Sequence, residues 1–383
     1  MTIAEPSARP TKTTFPVISA DSHITEPPHC YIDNIDPAFR DRAPHMVTDP
    51  VRGDQFIVEG MRPIAMGLVA AAGKPAEEIT VSGVMFDELH RSGWDPTFRL
   101  ADQDRDGVSA EVIYPTVGMV ICNHDDVDFK KACFDAYNRW IADYCSEAPA
   151  RLLGAGQTAL RSVAEGISDL AAIDEAGLRG VMMPGEPGIE QDYDDPVWDP
   201  FWQAAIDLGL PLSFHILTTR GSNFRARGSR LNGFLGIIRD IQDIMGTLVF
   251  GGVFERFPDL KVVCVEADAG WVPHYMYRMD HAYNRHRNWM APGISLAKLP
   301  SEYFAEHIYV TFQDDWTAFK QVDDMNWRRL MWANDFPHSD STWPWSQDML
   351  AEHAAALTDE QRLAILSGNV ADLYRIDVDA LAG

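Results

Sequence analysis

The sequence lacks any apolar run approaching the ~18 residues that suggest a membrane-spanning helix. No apolar stretch of signal-peptide length opens it. It has no Ser/Gly-rich linker, no low-complexity tract and no internal repeat, which argues against tandem arrays and solenoids. Positive charge is scarce: 32 Lys and Arg stand against 57 Asp and Glu, a formal net charge of −25. Such a surface repels phosphate backbones and anionic lipid, so nucleic-acid and membrane partners are not expected. Cysteine is sparse as well. Cys30, Cys122, Cys133, Cys145 and Cys264 are dispersed, odd in number and form no Cys-x-x-Cys pair. They read as reduced, buried thiols of a cytoplasmic protein.

What is present is a regular alternation of strand-like and helix-like segments. Strand patterns fall at 17–20, 110–114, 152–155, 180–183, 211–215, 261–265, 307–311 and 330–333. Helical spacing falls at 126–145, 163–176, 198–208, 232–245, 272–287 and 316–325, with two closing helices at 347–356 and 359–366. Repeated β-α alternation implies a parallel sheet. The expected fold is α/β, a (β/α)8 TIM barrel; 383 residues lie within the ~200 to more than 400 that such barrels span. An open, doubly wound sheet is the alternative. Residues 1–16 read as a flexible tail and 17–383 as one barrel domain. The segment around 27–94, rich in Pro, Gly and charge, breaks the alternation and reads as a long insertion after the first strand, a lid or an oligomer contact.

The barrel is preferred because candidate metal ligands end the first, fifth and last strands. Asp21 and His23 close VISADSH, His215 closes PLSFH, and Asp335 follows LMWA. Residues i and i+2 of a strand share a face, so Asp21 and His23 can both reach one ion. In a closed barrel the last strand neighbours the first, and His215 faces them across the mouth. Mixed imidazole and carboxylate donors suit Zn²⁺, Mn²⁺ or Fe²⁺ better than Ca²⁺ or Mg²⁺. Taken singly, each residue has an ordinary structural explanation: a capped turn, a hydrogen-bonded His, an Asx turn before Pro337. Their joint placement at strand ends favours one divalent metal ion.

Several neighbours are candidates for other roles. Arg220, Arg225, Arg227 and Arg230 form a local basic cluster after the fifth strand, and a guanidinium grips a carboxylate in two-pronged fashion. Ordinary surface ion pairs are the competing explanation. His274 lies on a helical stripe with Arg278, His281 and Arg285 and is close to the end of the sixth strand; a solvated or interface face is the alternative. His338, three residues after Asp335, either orients that carboxylate, touches substrate or bonds Asp340. Glu26 either supports His23 or caps the loop before Pro27. Trp271, with Trp332, Trp343 and Trp345, forms either an aromatic wall for a planar substrate or core.

At SADSHITEPP, PLSFH, VCVEADAGWVPHYMYRMD and WANDFPHSDSTWP the sequence resembles the amidohydrolase superfamily (amidohydrolase family 2). It is most similar to the branch of aminocarboxymuconate semialdehyde, resorcylate and carboxyvanillate decarboxylases, and the resemblance runs over 17–374. It implies a metal-dependent barrel in which Asp21, His23 and His215 bind metal, and in which Asp335 binds metal and moves protons. It also implies a homodimer or higher homo-oligomer. One position departs. Decarboxylases of this branch carry a catalytic His at the end of the sixth strand, where this chain has Glu266. Proton transfer, support of His215, direct metal ligation and a structural hydrogen bond to the N-terminus of the following helix are all open to Glu266.

The resulting expectation is a metal-dependent decarboxylase of a small aromatic or unsaturated carboxylic acid, with Asp335, Glu266 and His338 catalytic. The substitution at Glu266 keeps a hydrolase, acting with metal-activated water on an amide, ester, lactone or activated C–C bond, close behind. Ligand-type residues at all the principal strand ends argue against a catalytically inert barrel.

Overall fold

A computed structural model describes residues 13–220 and 228–381. Eight parallel strands run in sequence order around one sheet: β1 (Ile18–His23), β2 (Ala110–Tyr114), β3 (Leu152–Gln157), β4 (Gly180–Met183), β5 (Leu212–His215), β6 (Val262–Val265), β7 (Ile308–Phe312) and β8 (Leu330–Trp332). They are fully buried along their lengths, as near-continuous apolar strands covered by helices must be. All eight fall where the alternation placed them, and the sheet is a nearly closed (β/α)8 barrel flanked by helices.

The seam between β8 and β1 is closed mainly by the segment that follows β8. Asp335 N donates to Asp21 O at 3.1 Å, His23 N donates to Phe336 O at 2.7 Å, and Asn334 N donates to Ser19 Oγ at 2.9 Å. Along β1, Ser19 pairs with Glu111 but Ser22 pairs with Ile113, three steps against two. One extra residue is therefore bulged into β1 beside Asp21, a feature that tends to re-aim side chains at barrel rims.

Periodicity gives no element over 96–106, yet an 11-residue helix, Pro96–Asp106, lies there. Its signals are local. Asp95 caps it through Thr97 N, Pro96 occupies the first turn, and Gly107 ends it in the left-handed conformation. The helix carries Arg99, which is fully buried and bonds Glu111 at 2.5 Å, His23 O at 2.7 Å and Phe336 O at 3.3 Å. One guanidinium thus ties the end of β1 to the segment after β8. Asp106, at the helix end, accepts from Ser346 N, Ser346 Oγ and Asn334 Nδ2.

The insertion contains a three-stranded antiparallel sheet, His45–Asp49, Gly53–Ile57 and Ile64–Ala65. Its strands are short, and the central one, Gly53–Ile57, is mostly buried, so no alternating pattern marks them. Gly53 is required there: its φ is +76° and a Cβ would sit 2.3 Å from Val84 O. The insertion bonds to the loop after β8 through Ala72 N to Pro337 O and Ser339 N to Leu68 O, both 3.0 Å. Of the tail at 1–16, residues 1–12 lie outside the described residues. Among the described residues no helix is long and apolar enough to cross a membrane.

Two consequences follow for stability. Arg99→Met leaves Glu111 buried without its cation and is expected to cost about 3–5 kcal/mol in urea denaturation; a loss below about 1 kcal/mol would show that the guanidinium is dispensable to the seam. Burial pushes the Asp106 carboxyl up to about 6, against the lowering effect of its bonds from Ser346 and Asn334. A raised carboxyl takes up its proton more readily folded than unfolded. Its contribution therefore favours folding at low pH and is lost as pH rises through about 6. Asp106→Asn should flatten that part of the stability profile between about pH 4 and about pH 6.5, and an unaltered slope would contradict the assignment.

Candidate metal centre

The strand ends gather four ligand-type side chains at the C-terminal mouth of the barrel. One donor atom each from Asp21, His23, His215 and Glu266 lies within 4.8 Å of the others. An overlapping group joins His23 and Glu266 to Asp335 and His338 under the same limit. Asp335 stands 3.6 Å from His23 Nε2. Two of the carboxylates sit on backbone of positive φ, Glu266 at 57° and Asp335 at 49°. Non-glycine residues rarely adopt this conformation, and such strain gathers at functional sites.

Hydrogen bonds behind the rings fix which nitrogen faces the cluster. His23 Nδ1 lies 3.0 Å from Pro115 O, and His215 Nδ1 lies 3.0 Å from Ile216 O. A carbonyl only accepts, so both Nδ1 atoms carry hydrogen. In the neutral rings both Nε2 lone pairs then point inward, 3.2 Å apart. Around them Glu266 approaches His215 Nε2 at 3.1 Å and Asp21 approaches His23 Nε2 at 3.4 Å. Both oxygens of Asp21, both oxygens of Asp335 and Oε2 of Glu266 are buried without an aligned hydrogen bond. Converging lone pairs and carboxylate oxygens without an aligned hydrogen bond form an arrangement a small cation would satisfy. Nitrogen and oxygen donors of this kind fit Zn²⁺ or Mn²⁺.

The electrostatics point the same way. Burial disfavours imidazolium at His23 and His215, but hydrogen bonding and charge from Asp21 and Glu266 outweigh it. His23 is held above its ordinary range and His215 is pushed up to about 10. Glu266 is held far below the usual carboxylate range by His215 and His23, despite its burial. Burial, then the charges of Glu266 and Asp21, push Asp335 well above that range. Burial, then His23, push His338 well below the ordinary histidine value. The pocket demands positive charge and also holds one carboxyl that favours its protonated form.

His338 adjoins the cluster. Its Nδ1 is 3.0 Å from Asp335 Oδ1, its Nε2 is 3.0 Å from Thr116 Oγ1, and its ring stacks on His23 with centroids 3.9 Å apart. The side chains of Asp21, His23, His215 and Asp335 are fully enclosed, whereas those of Glu266 and His338 are 13% and 12% exposed. A molecule entering the mouth therefore meets Glu266 and His338 first. Two cavities of about 400 and 260 Å³ lie at the opposite end of the barrel, beside residues that precede the strands, such as Val17 and Pro211.

Other expected contributors stand elsewhere. The Arg220 side chain is half-exposed beside Asp125 at 3.8 Å, and its backbone N bonds Glu186. Arg225 and Arg227 lie outside the described residues. His274 is exposed on the helix Val272–Met290, with its ring near Tyr277. Trp271 donates its indole N–H to Ala267 O and Asp268 O and packs on Tyr275 and Phe304. Trp332 and Trp343 are core, whereas Trp345 is exposed. Glu26 is buried and accepts the backbone N–H groups of Thr116, Val117 and Gly118. Thr116 and Arg99 were not anticipated. A threonine after a strand and an arginine outside any periodic segment carry no sequence signal for contact with a site.

Comparison with known proteins agrees with the architecture. The amidohydrolase family model matches residues 23–376, so the chain belongs to the amidohydrolase family and is an enzyme of that superfamily. It is 25% identical over 308 residues, 78% of this chain and 82% of the relative, to 2-amino-3-carboxymuconate-6-semialdehyde decarboxylase of Dictyostelium discoideum. Among solved structures it is similar to an amidohydrolase from Mycobacterium avium subsp. paratuberculosis, with TM-score 0.78, 18% identity, and 94% of this chain and 100% of that chain covered. It is also similar to a dihydroxybenzoic acid decarboxylase from Polaromonas sp. JS666, solved with bound manganese and the inhibitor 2-nitroresorcinol, with TM-score 0.61, 15% identity and 94% and 97% covered. At these identities the two structures bear on the fold alone.

If the inward Nε2 of His215 is a ligand, His215→Ala should weaken metal binding by more than the ~10–100-fold that loss of a partner behind a ligand costs. Metal analysis of the purified variant after dialysis tests this, and wild-type occupancy would rule the ligand role out.

Proposed function

We propose that the chain is a metal-dependent decarboxylase, a C–C lyase acting on a small aromatic or unsaturated carboxylic acid. Asp21, His23, His215 and Asp335 hold one divalent ion, Zn²⁺ or Mn²⁺, in a single domain spanning 17–383. The observation that carries the reading is the pair of inward Nε2 atoms ringed by carboxylate oxygens that accept no aligned hydrogen bond. The manganese in the dihydroxybenzoic acid decarboxylase and the activity of the muconate relative support the metal and the reaction class. A divalent ion bound there supplies Lewis acidity and a fixed anchor for the carboxylate that is to leave.

The chain's own residues supply the rest. CO2 loss leaves an electron pair on carbon, which a proton must quench. Asp335 is the donor, and His338 Nδ1, 3.0 Å from Asp335 Oδ1, is the acceptor that can hold that proton in place. Glu266 borders His215 and the opening, where it orients the imidazole and repels a second negative charge on the substrate. Arg220 and the exposed His274 stand away from these contacts. The five free, buried thiols support a reducing compartment, the cytoplasm. A homo-oligomer rests on the family resemblance alone.

A second reading is favoured by one residue. Glu266 is a carboxylate where decarboxylases of the branch carry His. In a hydrolase, Asp335 would take the proton from water attacking an amide, ester or lactone carbonyl.

The deciding assay supplies metal-loaded protein with a panel of hydroxybenzoates and unsaturated acids and measures CO2. CO2 release matching substrate loss is expected; incorporation of ¹⁸O from water without CO2 would favour hydrolysis. Asp335→Asn should fold normally and lower kcat by ~100-fold or more, whereas loss of folding would make Asp335 structural.

A further inference from the structure

We infer that Thr116 is a positioning residue that fixes the tautomer of His338, and so determines that the ring nitrogen facing Asp335 presents a lone pair. The argument is geometric. Thr116 Oγ1 has a single hydrogen and commits it to Ile24 O at 2.6 Å, a short bond to a carbonyl that is itself buried. Toward His338 Nε2, 3.0 Å away, the hydroxyl can then only accept. Nε2 must carry the hydrogen, which leaves Nδ1 as the lone pair facing Asp335 Oδ1 at 3.0 Å. A proton can pass between Asp335 and Nδ1 while the Nε2–H bond stays in place.

The surroundings hold this arrangement in register. Thr116 is 4% exposed, and the backbone N–H groups of residues 116, 117 and 118 all donate to the buried carboxylate of Glu26 at 3.0–3.1 Å. The ring of His338 is stacked on His23 with planes 24° apart, which opposes a flip that would exchange its nitrogens. The preceding residue acts in parallel: Pro115 O fixes the tautomer of His23. The short turn after β2 therefore sets the protonation pattern of both stacked histidines, one through a carbonyl and one through a hydroxyl.

The inference rests on the assignment of Asp335 and His338 as the proton-handling pair, but its test does not need turnover. In zinc-loaded protein labelled with ¹⁵N-histidine, with His338 assigned by its loss in His338→Asn, the wild type is expected to show Nε2–H and an unprotonated Nδ1. An Nδ1–H tautomer would overturn the inference, and this spectrum decides even if a variant fails to fold. Thr116→Val removes the acceptor and should give a mixture of tautomers with unchanged zinc content. In any assay that detects turnover it should lower kcat ~10-fold or more at constant KM. Thr116→Ser should restore both. A valine variant with the wild-type tautomer and kcat would also overturn it. If no carboxylic acid is turned over at all, the proposed reaction fails while the tautomer measurement still stands.

Discussion

The barrel seam is the constraint on which the site depends. The segment after β8 hydrogen-bonds to β1 at the residues that carry donor atoms: Asp335 N to Asp21 O, and His23 N to Phe336 O. Closing the cylinder and assembling the cluster are thus one event. Arg99 reinforces it by gripping the backbone on both sides of the seam while paired with Glu111. A buried ion pair is weak evidence for net stability, but here it fixes where two ligand-bearing segments meet.

The cluster concentrates negative charge and inward lone pairs in a closed mouth. Three carboxylates surround two imidazoles whose outer nitrogens are already committed to carbonyls. Such an arrangement is costly when empty and favourable around a cation. It also separates two kinds of carboxyl. Glu266, beside His215 and His23, stays ionised, while Asp335, enclosed among other carboxylates, is driven toward its neutral form. Carboxyls pushed apart in this way can take different roles in one reaction.

Much of this was legible in the sequence. The eight strands could be placed because each is a short apolar run ended by turn residues, and the putting together of Asp21, His23 and His215 follows from strand ends in a barrel. The helix Pro96–Asp106 escaped because its interior, FRLADQDR, has no apolar face; only Asp95-Pro96 and Gly107 mark it. The insertion sheet escaped for want of alternation. The role of Thr116, and the partners that Glu26 caps, were hidden for a different reason. Each acts through bonds to residues about 90 or more positions away, and separation along the chain carries no trace of such contacts. Arg220 and His274 were chosen for their chemistry near strand ends, and the structure turns them toward Asp125 and Tyr277.

X-ray absorption spectroscopy on the protein loaded with one equivalent of Zn²⁺ or Mn²⁺ probes the central claim most directly. The account predicts nitrogen and oxygen scatterers in the first sphere at about 2.0–2.2 Å for zinc, with the outer-ring signature of two imidazoles. A spectrum without imidazole scattering, or a metal bound only by water and surface carboxylates, would contradict it.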